Sequence, residues 1–192
     1  MKNLNKRKRI IEAAKKIILD KGFHDMTLDD VSRYSRVAKG TLYLYFKNKE
    51  DLFTSIFDDL MKENEDLLLK ATEDLKDMEF LKRITVKELE FIEEKSDFVI
   101  KFMSHKYSFS GLKRNFEERF KKHIEFLAEL FKERFDRIRI KNNDYFGFAL
   151  HFFITSRMYM VKKKILKEGK SIVNYSSEII NILLNGWATA KE

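Results

Sequence analysis

Between Thr27 and Lys49 the chain reads TLDDVSRYSRVAKGTLYLYFKNK, and this stretch leaves little freedom in local structure. Thr27, with the acid Asp30 three residues on, is a capping box that opens a short helix. Leu28 and Val31 are spaced for the inner face of that helix. Ser35-Arg36-Val37-Ala38 reads as a turn, and a second short helix follows from about Lys39 to Tyr45. Leu42 and Phe46, four apart, point to the core, which leaves Lys39, Thr41, Tyr43 and Tyr45 outside. Asn48 caps the next helix, with Asp51 three residues further on.

Two short helices joined by a tight turn form a helix-turn-helix. A second helix whose outer face carries donors and flat rings can enter a DNA major groove. Gly40 inside that helix costs roughly 1 kcal/mol relative to Ala, and close backbone approach to DNA is the return expected for it. Lys49 falls at a helix N-terminus, where amides and dipole favour a phosphate. Charge follows the motif. Residues 1–50 hold 13 Lys and Arg against 6 Asp and Glu, a net +7, while residues 51–192 hold 26 against 25, a net +1. Such asymmetry is the electrostatic footprint of a nucleic-acid module joined to a neutral partner domain.

Thr27, Val31, the run Val37-Ala38-Lys39-Gly40-Thr41-Leu42-Tyr43-Leu44-Tyr45-Phe46, then Lys49 and Leu52-Phe53, resemble the DNA-binding end of the TetR family of transcriptional regulators. Two positions depart from the family pattern. Arg36 stands where the family usually has Gly, and Ala38 where it often has Ser. A non-glycine residue in a left-handed turn costs about 1 kcal/mol or more, and Arg36 is expected to recover this through a phosphate or base contact. Ala38 lacks the hydroxyl that would cap the second helix. The candidate DNA-binding residues are Thr27, Arg36, Lys39, Gly40, Thr41, Tyr43, Tyr45 and Lys49. The resemblance implies an all-α chain. Residues 1–48 would form a three-helix DNA-binding domain, and 49–192 a helical ligand-binding and dimerisation domain.

The rest of the chain agrees with a helical reading. There is no proline and there are only 6 glycines, so long helices can run unbroken. Apolar spacing predicts helices over about Asn5 to Lys21, from Lys49 past Lys62, over Phe80 to Glu94, Ser96 to Lys106, Leu112 to Arg137, Asp144 to Lys167 and Tyr175 to Ala190. Gly22 stops the first, Ser108 to Gly111 is a break, Arg139 to Asn143 a polar loop with Asn143 as a cap, and Gly169 ends the penultimate helix.

Most of the 18 phenylalanines lie between Phe80 and Phe153. For any one of them a packed core is the plainer reading. Together, Phe91, Phe98, Phe102, Phe120, Ile124, Leu127, Phe131 and Phe152 could line a cavity, and the resemblance implies that a small molecule bound there controls DNA binding. A sparsely polar, aromatic lining favours an apolar molecule such as a fatty acyl group, another lipid-like compound or a hydrophobic drug. The penultimate helix is apolar on more than one face. The resemblance implies a homodimer built on the last two helices, with Leu150, Phe153, Arg157, Ile179, Leu183 and Trp187 as candidate contacts, and Gly186 allows close approach there. His151 and Arg157 interrupt the apolar pattern and would hold a ligand anion or a dimer contact.

The chain has no cysteine and its 4 histidines lack metal-ligand spacing, so neither a metal nor another cofactor is expected. No phosphate-cradling glycine loop or nucleophile elbow points to an enzyme. No apolar run reaches the roughly 20 residues of a membrane span, and no secretory signal is evident, so a cytoplasmic protein without membrane contact is expected. The expected function is a repressor released from a double-stranded operator by an apolar molecule. The alternative is a DNA-binding interaction protein of the same fold, with a protein partner and no small-molecule effector.

Overall fold

The computed structural model describes the backbone of residues 2–98, 100 and 113–188, and the side chains of 5–98, 100 and 117–188. Among these residues run α1 (Lys2–Asp25), α2 (Leu28–Ser35), α3 (Lys39–Tyr45), α4 (Lys49–Ala71), α5 (Asp77–Glu94), α6 (Lys113–Arg134), α7 (Tyr145–Leu166) and α8 (Ser176–Trp187), and residues 96–98 and 100 are also helical. Short 3-10 turns occupy Lys141–Asn143 and Ile172–Tyr175. The fold is all-α. The one isolated antiparallel bridge among the described residues joins Ile140 to Ala188. The chain forms two compact units, one of residues 1–61 and 97–119, the other of 62–96 and 120–192.

In the first unit, α1 buries Ile10, Ile11, Ala14 and Ile18. Gly22 takes a positive φ of 84°, which breaks the helical path, and Phe23 turns in against Phe53 with ring centroids 4.4 Å apart. Val31 of α2, Leu42 of α3 and Leu52 and Ile56 of α4 are fully buried.

The second unit is organised by aromatic rings. Phe131 of α6 meets Phe80 of α5 and Phe148 and Phe152 of α7 edge-on, with centroids 5.7, 4.8 and 5.3 Å away, and Phe135 in a tilted contact at 5.4 Å. Edge-to-face contacts of this kind align the positive ring edge with the negative face.

Several boundaries differ from the sequence expectation. The helix expected from Phe80 begins at Asp77, whose Oδ1 accepts the amides of Arg137 and Ile138 at 2.7 and 3.1 Å. Asp144, not Asn143, caps α7 by accepting from Gly147 N at 2.8 Å, while Asn143 itself adopts a left-handed φ of 54°. Lys167 ends α7 in the left-handed region, so Gly169 is not needed as its stop. Ile140, expected in a polar loop, is buried beside its bridge partner. Of the helix expected over Ser96 to Lys106, residues 96–98 and 100 are helical, and its remainder, the break at Ser108 to Gly111 and Phe102 lie outside the described residues.

Candidate DNA-binding face and the polar centre of the second unit

The helix-turn-helix is built as a chain of satisfied polar groups. Thr27 Oγ1 accepts from Asp30 N at 3.1 Å, and the Asp30 carboxylate accepts in return from Thr27 N at 3.2 Å, closing the capping box. Asp30 also pairs with Lys21 at 2.7 Å and Arg33 at 2.5 Å. The Lys21 hydrogen bond, then that of Thr27, holds the Asp30 carboxyl far below the usual carboxylate range. Arg36 occupies the left-handed region at φ 54°, ψ 38°. Its strain is met inside the protein: Arg9 of α1 donates through Nη2 to the carbonyls of Ser35 and Arg36, and the turn is closed by Ser32 Oγ donating to Val37 O. The Arg36 side chain is left exposed.

Ala38 stands at the start of α3 with no side-chain cap. Lys39, Gly40 and Tyr43 are exposed, and Thr41 and Tyr45 are half-buried. Lys39 is paired with Asp29 of α2 at 2.6 Å, and this hydrogen bond raises the Lys39 pKa above the ordinary lysine value. A Cβ at Gly40 would meet nothing within 4 Å, so the fold itself gives no reason for a glycine there.

Lys49 departs from the expectation. Its Nζ turns back to donate to the carbonyls of His24, Phe23 and Met26 at 2.8, 3.3 and 3.4 Å, and stands 4.8 Å from the centre of the Phe23 ring. The ammonium closes the α1–α2 connection, whose carbonyls have lost helical partners. Asn48 caps α4 as expected, accepting from Asp51 N at 2.7 Å.

Two participants escaped the sequence reading. Arg9 carries no local signal of its role. Leu44 is 85% exposed on α3, and its position out of phase with Leu42 and Phe46 was the available clue.

The expected ligand-lining set is divided between the two units. Phe98 belongs to the first unit, whereas Phe91, Phe120, Ile124, Leu127, Phe131 and Phe152 belong to the second. Ile124, Leu127, Phe131 and Phe152 are fully buried, and the last two are filled in by neighbouring rings rather than facing open space. Phe91 is buried and Phe120 half-buried.

The candidate dimer residues also redistribute. Phe153, Ile179 and Leu183 are interior to the chain. Leu150 and Trp187 are half-buried. The exposed apolar stripe on α7 is instead Phe146, Ile154 and Met158, in register with Leu150 at intervals of four, and Ile182 is exposed on α8. Close approach between α7 and α8 occurs at Gly147, where a Cβ would stand 2.5 Å from Trp187 Cη2; Gly186 has nothing within 4 Å. Trp187 Nε1 donates to His151 Nδ1 at 2.7 Å.

Arg157 sits at a buried polar centre. Its Nη1 donates to Glu88 Oε1 at 2.8 Å and to Phe153 O at 3.1 Å, and its guanidinium lies over the Phe153 ring. Burial lowers the Arg157 pKa, opposed by the charge and hydrogen bond of Glu88. Glu88 Oε2 accepts from Asn64 Nδ2 at 2.9 Å. His123 Nδ1 and Glu65 Oε1 are 2.9 Å apart, and the His123 ring meets Phe153 edge-on. Asn64, Glu88 and His123 are each at most 1% exposed. The sequence did signal this centre. Asn64 stands midway between Leu60 and Leu68, and Glu88 between Ile84 and Ile92, each a polar residue in an apolar stripe. Among the described residues, no group of His, Asp and Glu is placed to hold a metal ion, and no helix is long and apolar enough to cross a membrane.

Residues 10–56 match the family described as bacterial regulatory proteins, tetR family. The chain is 44% identical over 61 residues to the HTH-type transcriptional regulator YhgD of Bacillus subtilis, covering 32% of each. It is 41% identical over 69 residues to the fatty acid metabolism regulator protein of the same organism, covering 33% of this chain and 36% of the relative. These matches thus span about a third of the curated relatives' length. The fold is shared more widely. The structure of the Bacillus subtilis transcriptional regulator FadR in complex with stearoyl-CoA aligns over 93% of this chain and 97% of that one, with a TM-score of 0.75 at 22% identity. The helix-turn-helix and the match at residues 10–56 make the DNA-binding end of the chain similar to that of the bacterial regulatory proteins of the tetR family, and the all-α fold is shared with the regulator FadR.

Proposed function

We propose that the chain is a transcriptional repressor that binds a two-fold symmetric operator as a homodimer and is released by an apolar small molecule. The observation that carries the reading is the exposed face of α3. Lys39, Gly40, Tyr43 and Leu44 present a cation, bare backbone, a ring and an apolar side chain on a helix fixed by the capped α2 and the Arg36 turn. The proposed contacts are Arg36, Lys39, Gly40, Thr41, Tyr43 and Tyr45, with Thr27 placing α2 and Lys49 acting through the fold. Residues 1–48 are proposed as the DNA-binding domain and 49–192 as the ligand-binding and dimerisation domain. The Phe146, Leu150, Ile154 and Met158 stripe supports the dimer, which paired half-sites require.

Release requires that ligand and operator prefer different conformations, with the coupling equal in both directions. The ligand-bound state of FadR, and the fatty acid regulator's similarity over the N-terminal third, favour an acyl or similarly apolar molecule. A second reading draws on the ring packing around Phe131, which leaves that region filled: the chain would bind DNA and a protein partner without an effector. A melting-temperature screen of long-chain acyl thioesters, fatty acids and hydrophobic drugs, followed by operator titration with each hit, separates the two. A compound that raises the melting temperature and weakens operator binding supports the repressor; absence of any such compound favours the interaction protein.

A further inference from the structure

Three buried side-chain atoms in the second unit have no hydrogen-bond partner among the described residues, and two of them, Asn64 Oδ1 and His123 Nε2, lie in one cluster. Their side chains are 0% and 1% exposed. No other fully buried side-chain polar atom of this cluster is left without a partner among the described residues. Glu88, held by Arg157, can accept but not donate when ionised, so it fixes the Asn64 amide with nitrogen toward the carboxylate and oxygen away. Glu65 accepts at His123 Nδ1, so the neutral ring presents a lone pair at Nε2. Both orphans are therefore acceptors. A buried polar atom left unpaired costs about 1–3 kcal/mol, and native interiors rarely leave two in one place.

We propose that Asn64 Oδ1 and His123 Nε2 anchor a hydrogen-bond donor, a hydroxyl or an N–H group, on the small molecule that this protein binds. The proposal rests on the ligand-responsive reading and narrows its chemistry. The surroundings set the rest of the ligand. Phe120 and Phe126 flank His123 along α6, and both are half-buried. Phe153 lies edge-on to both Phe120 and His123. The cluster sets two carboxylates, Glu65 and Glu88, beside the guanidinium of Arg157. An anionic head group would face both carboxylates here. The favoured molecule is a neutral or cationic apolar compound with an O–H or N–H, such as a phenol, a long-chain alcohol or an amide.

The test follows the His123 Nε2 resonance in full-length protein carrying nitrogen-15 histidine, assigned by its loss in His123→Phe. The probes are phenol, 2-naphthol and 1-decanol, each beside its methyl ether and the matching carboxylate. At least one alcohol is expected to move the resonance and to bind about tenfold more tightly than its ether, the worth of one hydrogen bond. That preference should fall below about threefold in His123→Phe and, independently, in Asn64→Leu. Operator binding is measured in parallel with the same compounds. No shift with any alcohol, equal binding of alcohol and ether, or selective binding of the carboxylates overturns the anchor, since a water would then be satisfying the two acceptors or the ring would be a cation. Compound-dependent operator release with an unmoved His123 resonance removes the anchor and leaves the repressor reading intact. A shifted resonance with unchanged operator binding keeps the anchor and removes the effector role.

Discussion

The indole of Trp187 occupies the space that a side chain at Gly147 would need: a Cβ there would lie 2.5 Å from Trp187 Cη2 and 2.3 Å from Asp144 Oδ2. The glycine thus lets the last helix close on α7 while Asp144 caps it and Trp187 reaches His151. Gly147→Ala is expected to destabilise the protein by about 1–3 kcal/mol, as overpacking does. Gly186→Ala, in open space, should be neutral or stabilising by up to about 1 kcal/mol. Chemical denaturation of both variants checks the contrast, and equal midpoints would remove the packing argument.

Gly40 and Lys49 separate DNA contact from fold support. Gly40→Ala should stabilise α3 by up to about 1 kcal/mol, because nothing within 4 Å opposes the methyl group, yet weaken operator binding by blocking backbone approach. Lys49→Ala should lower stability by about 1 kcal/mol through loss of its carbonyl contacts and leave the salt dependence of DNA binding unchanged. A lost phosphate contact would instead reduce the log–log salt slope by about 0.9. Titrations at several salt concentrations decide between these outcomes.

The outward stripe of α7 predicts where the dimer is sensitive. Ile154→Asp or Met158→Asp should shift sedimentation of the protein from dimer to monomer at micromolar concentration while leaving its helical content intact, since both residues are exposed within the chain. Phe153→Asp should unfold it, because that ring is interior and its new charge would be unpaired. Wild-type protein that sediments as a monomer would refute the dimer.

Glu93 supplies the acid dependence. Burial would raise its pKa, but hydrogen bonds from Lys163, Ser171 and the Ile172 amide outweigh that and hold it below the usual glutamate range. A lowered folded-state pKa stabilises above the unfolded value and loses that contribution as pH falls through the folded one. Wild-type stability should therefore drop on acidification below the ordinary glutamate range. In Glu93→Gln the protein should be weaker at neutral pH and the acid drop shallower. Parallel acid limbs in urea denaturation of the two proteins would contradict this.

The fold was legible because its signals are local. Thr27–Asp30 and Asn48–Asp51 mark helix starts within four residues, and the buried Leu42 and Phe46 follow from spacing alone. What the sequence hid depends on which face meets which neighbour. Phe153 and Leu183 read as interface residues because apolar spacing cannot distinguish a core from a second chain. Lys49 sits at a helix start in sequence, but its four-carbon stem carries the charge back to carbonyls some 25 positions earlier. Ring packing around Phe131 likewise needs three helices to be placed before it is visible. The polar centre was legible in part, since Asn64 and Glu88 interrupt apolar stripes, but their partnership with Arg157 was not.

Selection of binding sites from a random duplex pool tests the central claim most directly. The account predicts an enriched consensus with two-fold symmetry, bound less tightly as salt rises and lost in a Lys39→Ala, Tyr43→Ala double variant that remains folded. Recovery of no symmetric consensus, or undiminished binding by that variant, would contradict it.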